Sequence, residues 1–126
     1  MKAKLFDMIM YFRNGHLGMD EMAKYVPEDP EVFSLGLEFN AGVEGEKGSD
    51  LFNLVVVTPK WLLYNSEEKI IIGRHKLIVF NYNAERLKNF IISYVESCTG
   101  DTWQEVAEKI GRLGKWEYED YQKIEN

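Results

Sequence analysis

The chain has 126 residues, 45% hydrophobic and 13% aromatic, with a formal net charge of −6. That size fits a single domain over 1–126, since domains cluster at about 100–150 residues, and the composition excludes intrinsic disorder. The acidic balance argues against a nucleic-acid partner, which calls for a basic surface.

The N-terminal run "MKAKLFDMIMYFRNG" has two lysines and then apolar residues, as a secretory leader would. Asp7 interrupts that run and no small-residue cleavage site follows, so the leader reading fails. The rough alternation predicts a strand over residues 3–12 instead. Residues 13–31 show no extended pattern: Asn14-Gly15 signals a turn, "MDEMAKY" fits a single helical turn, and "VPEDP", with its two prolines, reads as a loop. No stretch approaches the about 18 apolar residues of a membrane span. The single Cys98 excludes an internal disulfide framework. A soluble, cytoplasmic protein without a membrane partner is expected.

From Phe33 the pattern alternates strictly. Phe33, Leu35, Leu37, Phe39, Ala41 and Val43 fall on one face of a half-buried strand. "EGEKGSD" reads as a hairpin loop, and "LFNLVVVT" as a β-branched strand covered on both faces or central in the sheet. Pro59 opens a short helical turn, "PKWLLYN". "IIIGRHKLIVFNY" returns to strand character, with Gly73 marking a bulge, bend or loop.

The period then changes. Leu87, Phe90, Ile91, Tyr94, Val95 and Cys98 form one stripe of a helix over 84–98, ended by Gly100. Thr102 and Glu105 form a candidate capping box, with Asp101 as a rival cap. Trp103, Val106, Ala107 and Ile110 mark the buried side of a second helix, which Gly111 and Gly114 weaken and stop. Strands followed by helices predict an α+β fold: an antiparallel β-sheet with C-terminal helices packed on one face. The period-2 face of Phe33–Phe39 is expected to meet the stripe from Leu87 to Val95.

Chemistry-bearing motifs are few. His16 and His75 lie far apart, there is one Cys, and no zinc, nucleophile-elbow, phosphate-loop or dinucleotide motif occurs. Neither a metal nor a cofactor is expected. Gly73-Arg74-His75 is the most enzyme-like triplet, but no nucleophile stands at a matching spacing. Cys98, on the apolar stripe, reads as a small core residue.

The seven acids and one base between Glu28 and Asp50 carry the whole net charge of −6. Such a segment is a solvated face or a field that speeds encounter with cationic partners. The C-terminal stretch "GKWEYEDY" sets Trp116, Tyr118 and Tyr121 among Glu117, Glu119 and Asp120. Aromatic anchors ringed by charge are a common interface device; the other reading is that the rings complete the core and the acids face water.

Four motifs in order, "TPKWLL" (Thr58–Leu63), "GRHKLIVF" (Gly73–Phe80), "YVESCTGDTWQEVAEKI" (Tyr94–Ile110) and "GKWEYEDY" (Gly114–Tyr121), make the chain resemble the immunity protein 8 family of bacterial polymorphic toxin systems. The resemblance covers about residues 26–122 and leaves residues 1–25 outside it. It implies a small α+β protein that binds and neutralises a toxin's C-terminal effector domain without catalysis. It carries over no contact residues and does not identify the toxin. The toxin-binding candidates therefore come from the residues themselves: Glu44, Glu46 and Asp50 in the hairpin, and Trp116, Glu117, Tyr118, Glu119 and Asp120 near the C-terminus. Two rival readings are an acidic adaptor for another basic protein, and a small hydrolase built on His75, Arg74 and the C-terminal carboxylates.

Overall fold

The computed structural model describes residues 1–67 and 69–120. Tyr121, the last ring of the C-terminal motif, lies outside the described residues. The strands are β1 (Ala3–Phe12), β2 (Gly15–Gly18), β3 (Ser34–Val43), β4 (Asp50–Val57), β5 (Lys76–Ile78) and β6 (Lys115–Trp116). The α-helices are α1 (Pro59–Asn65), α2 (Ala84–Glu96) and α3 (Trp103–Ile110), and a 3-10 turn spans Met19–Lys24.

The six strands form one sheet in the order β2-β1-β3-β4-β5, with β6 also pairing to β4. Every pairing is antiparallel except β4 with β5, which is parallel. The register aligns Met8, Phe39 and Phe52 in one row and Met10, Leu37 and Leu54 in the next. All six are buried, and Phe39 stacks on Phe52 at 5.2 Å. Leu35, Leu37, Phe39 and Ala41 are the alternating side chains of β3, so period 2 puts all four on this buried face. They share one core cluster with Phe33, Leu87, Ile91, Val95, Val106 and Ile110. The α+β architecture is therefore as the patterns predict: a largely antiparallel sheet with the C-terminal helices against one face.

Thr58 ties α1 to the sheet. It is fully buried, and its Oγ1 accepts from the Trp61 amide at 3.3 Å and from the Phe33 amide at 3.1 Å. Asn83 caps α2 through the Arg86 amide. Thr102, not Asp101, caps α3 by accepting from the Glu105 amide at 3.2 Å, while Glu105 Oε2 accepts from the Asp101 amide. Cys98 is buried and its thiol pKa is raised, chiefly by that burial. That suits a core residue and not a reactive thiolate.

The Asn14-Gly15 turn folds β2 back on β1 as a hairpin, a strand that the sequence pattern does not mark. Three expectations change. Residues 70–82 are not a long strand: only Lys76–Ile78 pair, because the Lys76 amide turns back to the Gly73 carbonyl and His75 adopts φ 59. Phe90 does not face the core; it is 51% exposed, and Leu87, Ile91 and Val95 make the buried stripe. Gly100 does not cap α2, which ends at Glu96 with Ser97 as its C-cap. Gly100 instead lets the chain pass under α3, where an added Cβ would lie 2.9 Å from Glu105 Cβ.

Candidate functional site

The acidic segment does not form one patch. Glu28, Asp29 and Glu31 precede β3, and Glu44 and Glu46 follow it. A ten-residue strand separates the two groups by about 30 Å, well beyond the screening length of about 8–10 Å. Glu31 pairs with Lys60, and Glu38 accepts from the Tyr11 hydroxyl. Glu28 and Asp29 before β3 are exposed, and so are Glu44 and Glu46 in the loop of residues 44–49, which lies beside the hairpin end of β4.

Close packing shapes that loop. Phe6 sits at the bulge between Leu5 and Asp7, where the β1–β3 register shifts. A Cβ on Gly42 would lie 2.3 Å from the Gly48 carbonyl oxygen and 2.7 Å from the Phe6 ring. Only glycine lets the loop fold back so closely, and Gly45 and Gly48 take positive φ to turn it.

Asp50 is not a loop acid. It opens β4, and its Oδ2 accepts from Trp103 Nε1 at 2.7 Å and from Trp116 Nε1 at 2.9 Å. One carboxylate thereby gathers the end of the hairpin, the start of α3 and β6. The C-terminal stretch is stitched on beside it. Glu117 donates its amide to the Leu51 carbonyl at 3.0 Å, and its carboxylate accepts from the Leu51 amide at 3.1 Å. Trp116 meets Tyr118 edge-on at 5.7 Å, and Tyr118 is 45% exposed. Asp120 is exposed and takes φ 58.

Glu119 closes the other side of this stretch. Its Oε1 lies 3.0 Å from Arg74 Nη2 and 3.1 Å from His75 Nε2. Arg74, His75, Arg112, Trp116 and Glu119 line an open cleft of about 750 Å³ between the Gly73–Lys76 segment, α3 and the C-terminal turn. His75 Nε2 also lies 3.0 Å from Arg74 Nε. With its proton on Nε2 the ring donates to Glu119, and with it on Nδ1 the ring accepts from Arg74; Nε2 is engaged in both tautomers. Nδ1 is buried and lacks a hydrogen-bond partner among the described residues. No His, Cys, Asp and Glu group suited to a metal ion occurs among the described residues, and none of their helices is long and apolar enough to cross a membrane.

A family model described as immunity protein 8 matches residues 11–121. The chain belongs to the immunity protein 8 family. It is an immunity protein of a toxin system, and the match begins at residue 11, so residues 11–25, left outside the resemblance, belong to the matched region. Among curated proteins and among solved structures, nothing matches it.

In this immunity protein the two sets of candidate residues, far apart in sequence, adjoin through Asp50. The partner of Asp50 that sequence reasoning missed is Trp103, read there as part of a buried helical stripe. A tryptophan just after a helix cap gives no local sign that its N–H reaches a carboxylate 53 positions away.

The Glu119 cluster sets a pH dependence. Burial pushes the Glu119 pKa up, but the hydrogen bonds and charges of Arg74 and His75 outweigh it and hold the value below the usual 4.5. A depressed carboxylate adds stability that is complete above its unfolded value and disappears as the pH falls through its folded value. Glu119→Gln is therefore expected to cost up to about 1 kcal/mol at neutral pH, the range of such ion pairs. The gap between variant and wild type should close as the pH falls below about 4.5. Urea unfolding at neutral and acid pH checks this; a gap that stays constant across that range would show that the pair is not what Glu119 contributes.

Proposed function

We propose that the protein binds the C-terminal effector domain of its cognate polymorphic toxin in the cytoplasm and silences it without catalysis. The binding surface runs from the exposed loop acids Glu44 and Glu46, past Asp50, to Trp116, Glu117, Tyr118 and Asp120. One observation carries this reading: Asp50 holds Trp103 and Trp116 together, which joins acids and rings from two distant segments into one surface. Acids at its edge suit a basic partner, and a braced aromatic at its centre suits a hot spot. Within the candidate set the roles divide. Asp50, Glu117 and Glu119 are tied to groups of the protein itself, so they shape the surface; Tyr118 stands half-exposed against Trp116, and Glu44, Glu46 and Asp120 face outward.

The test is co-expression with the effector domain of the adjacent toxin, read by cell survival and by co-purification. Survival with a stoichiometric complex supports the reading; death despite soluble expression of both chains sinks it.

The hydrolase alternative merits one experiment, because Arg74, His75 and Glu119 do converge in a cleft. A general base needs a nitrogen within reach of a substrate proton. Here Nε2 is occupied and Nδ1 is buried. His75→Ala is accordingly expected to leave protection intact in cells, provided the variant melts as a folded domain. Turnover of an ester, phosphoester or nucleic-acid substrate that disappears in His75→Ala would reverse the choice of class.

A further inference from the structure

A second surface lies apart from the one above, where the end of β5 meets the start of α2. β5 is the last strand in the sheet order. The Val55 amide donates to the His75 carbonyl, and the Val79 amide donates to the Val57 carbonyl. Residues 75, 77 and 79 thus turn their backbone groups toward β4. Alternation turns the backbone of Ile78 the other way, where no strand pairs with it among the described residues. The side chains around this open edge are apolar and exposed: Ile78 at 51%, Phe80 at 78% and Phe90 at 51%. With half-buried Val79 and buried Leu87 they line a groove of about 400 Å³. Among the described residues, the only charged side chain in that lining is Arg86, and it makes no ion pair with any of them.

We propose that this groove binds an extended segment of a partner protein that adds to the edge of β5, places an apolar side chain between Phe80 and Phe90, and presents a carboxylate to Arg86. An unpaired strand edge supplies main-chain hydrogen bonds to such a segment, and an adjacent pocket selects alternate side chains. The charge selects among occupants. A second copy of this chain would offer the same apolar lining and the same Arg86, with no acid in that lining to meet the cation. An acidic, apolar strand from another protein meets the cation with its complement. This surface shares no residue with the acidic loop or the C-terminal turn, so the proposal stands whether or not those bind the toxin.

The test is an amide-resolved NMR titration of the full chain with two blocked pentapeptides, Val-Asp-Val-Glu-Val and Val-Lys-Val-Lys-Val. The acidic peptide is expected to shift the amides of Ile78, Phe80 and Phe90 saturably by about 5 mM, and the basic one to bind about fivefold or more weakly. Arg86→Glu should invert that order. Ile78→Pro should abolish binding without unfolding the protein, because its N–H faces away from β4 and edge strands tolerate proline. An acidic peptide N-methylated at alternate residues asks the same question from the ligand side and leaves the protein untouched. Equal binding of both peptides, binding that survives N-methylation, or no saturable shift at these residues would overturn the proposal. So would self-association of the chain that Ile78→Pro abolishes.

Discussion

Asp50→Ala is expected to cost about 2–4 kcal/mol of folding stability and to lower the melting temperature by roughly 10 °C. The reason is the asymmetry between making a hydrogen bond and stranding a donor. Two indole N–H groups converge on one carboxylate oxygen, and removing it leaves both donors without their acceptor. A stranded buried donor costs about 1–3 kcal/mol. Trp103 and Trp116 are half-buried, so water relieves part of that cost, and the lower half of the combined range is the expectation. Asp50→Asn keeps one carbonyl oxygen within reach of both indoles and should lose about half as much, the charge assistance being gone. Removing the donors together with the acceptor should hurt less than adding the single losses, so Asp50→Ala in a Trp103→Phe, Trp116→Phe background should be about 1 kcal/mol or more milder than in the wild type. Thermal and urea unfolding of the set measure this. An Asp50→Ala protein that melts like the wild type would mean that the node does not hold β6 and α3 to the hairpin, and the joined surface would lose its basis.

The same residue shows how far the sequence could be read. Strong periodicity gave the frame: the alternation of β3, the helical stripes of α2 and α3, and the proline start of α1 all stand in the structure. What periodicity misses is any interaction that joins distant segments through a few polar atoms. Asp50 closes a polar-rich segment and so reads as a loop acid, yet its carboxylate lies inside a two-indole node. Phe90 falls within the helical stripe, yet it is half-exposed beside the open end of β5, with its ring stacked on Tyr94. Ile70, Ile71 and Ile72 are as apolar and β-branched as a strand, but the left-handed backbone at His75 and the turn onto Gly73 delay pairing until Lys76. The parallel β4–β5 pair depends on α1 serving as a crossover, and seven residues of helix are a weak sign of one. Arg74, His75 and the C-terminal carboxylates were grouped from residue type alone. Their meeting through Glu119 fits that grouping, with Nε2 of the ring engaged by Arg74 and Glu119 and Nδ1 buried.

Tyr118→Ala is expected to speed dissociation of the cognate effector domain about 30-fold or more, equivalent to about 2 kcal/mol, while the lost ring pair with Trp116 lowers fold stability by about 0.5–1.5 kcal/mol. Tyr118 is half-exposed, and the Trp116 ring braces it edge-on. Trp116 is in turn fixed by Asp50. A tyrosine held in this way gives up little conformational freedom on binding and offers a large apolar face with a polar tip. Trp116→Ala is the wrong test, since truncating a packed tryptophan costs about 3–5 kcal/mol of fold stability by itself. The loop acids should act on the other rate. Glu44 and Glu46 are exposed and have no ion pair among the described residues, so replacing both by glutamine should slow association about tenfold at low salt, flatten its salt dependence and leave dissociation nearly unchanged. Stopped-flow association and dissociation of the two variants at two salt concentrations separate these effects. Wild-type rates for both at low salt would mean that the acidic loop is a solvated face, that the C-terminal rings only finish the core, and that the effector domain binds elsewhere on the protein.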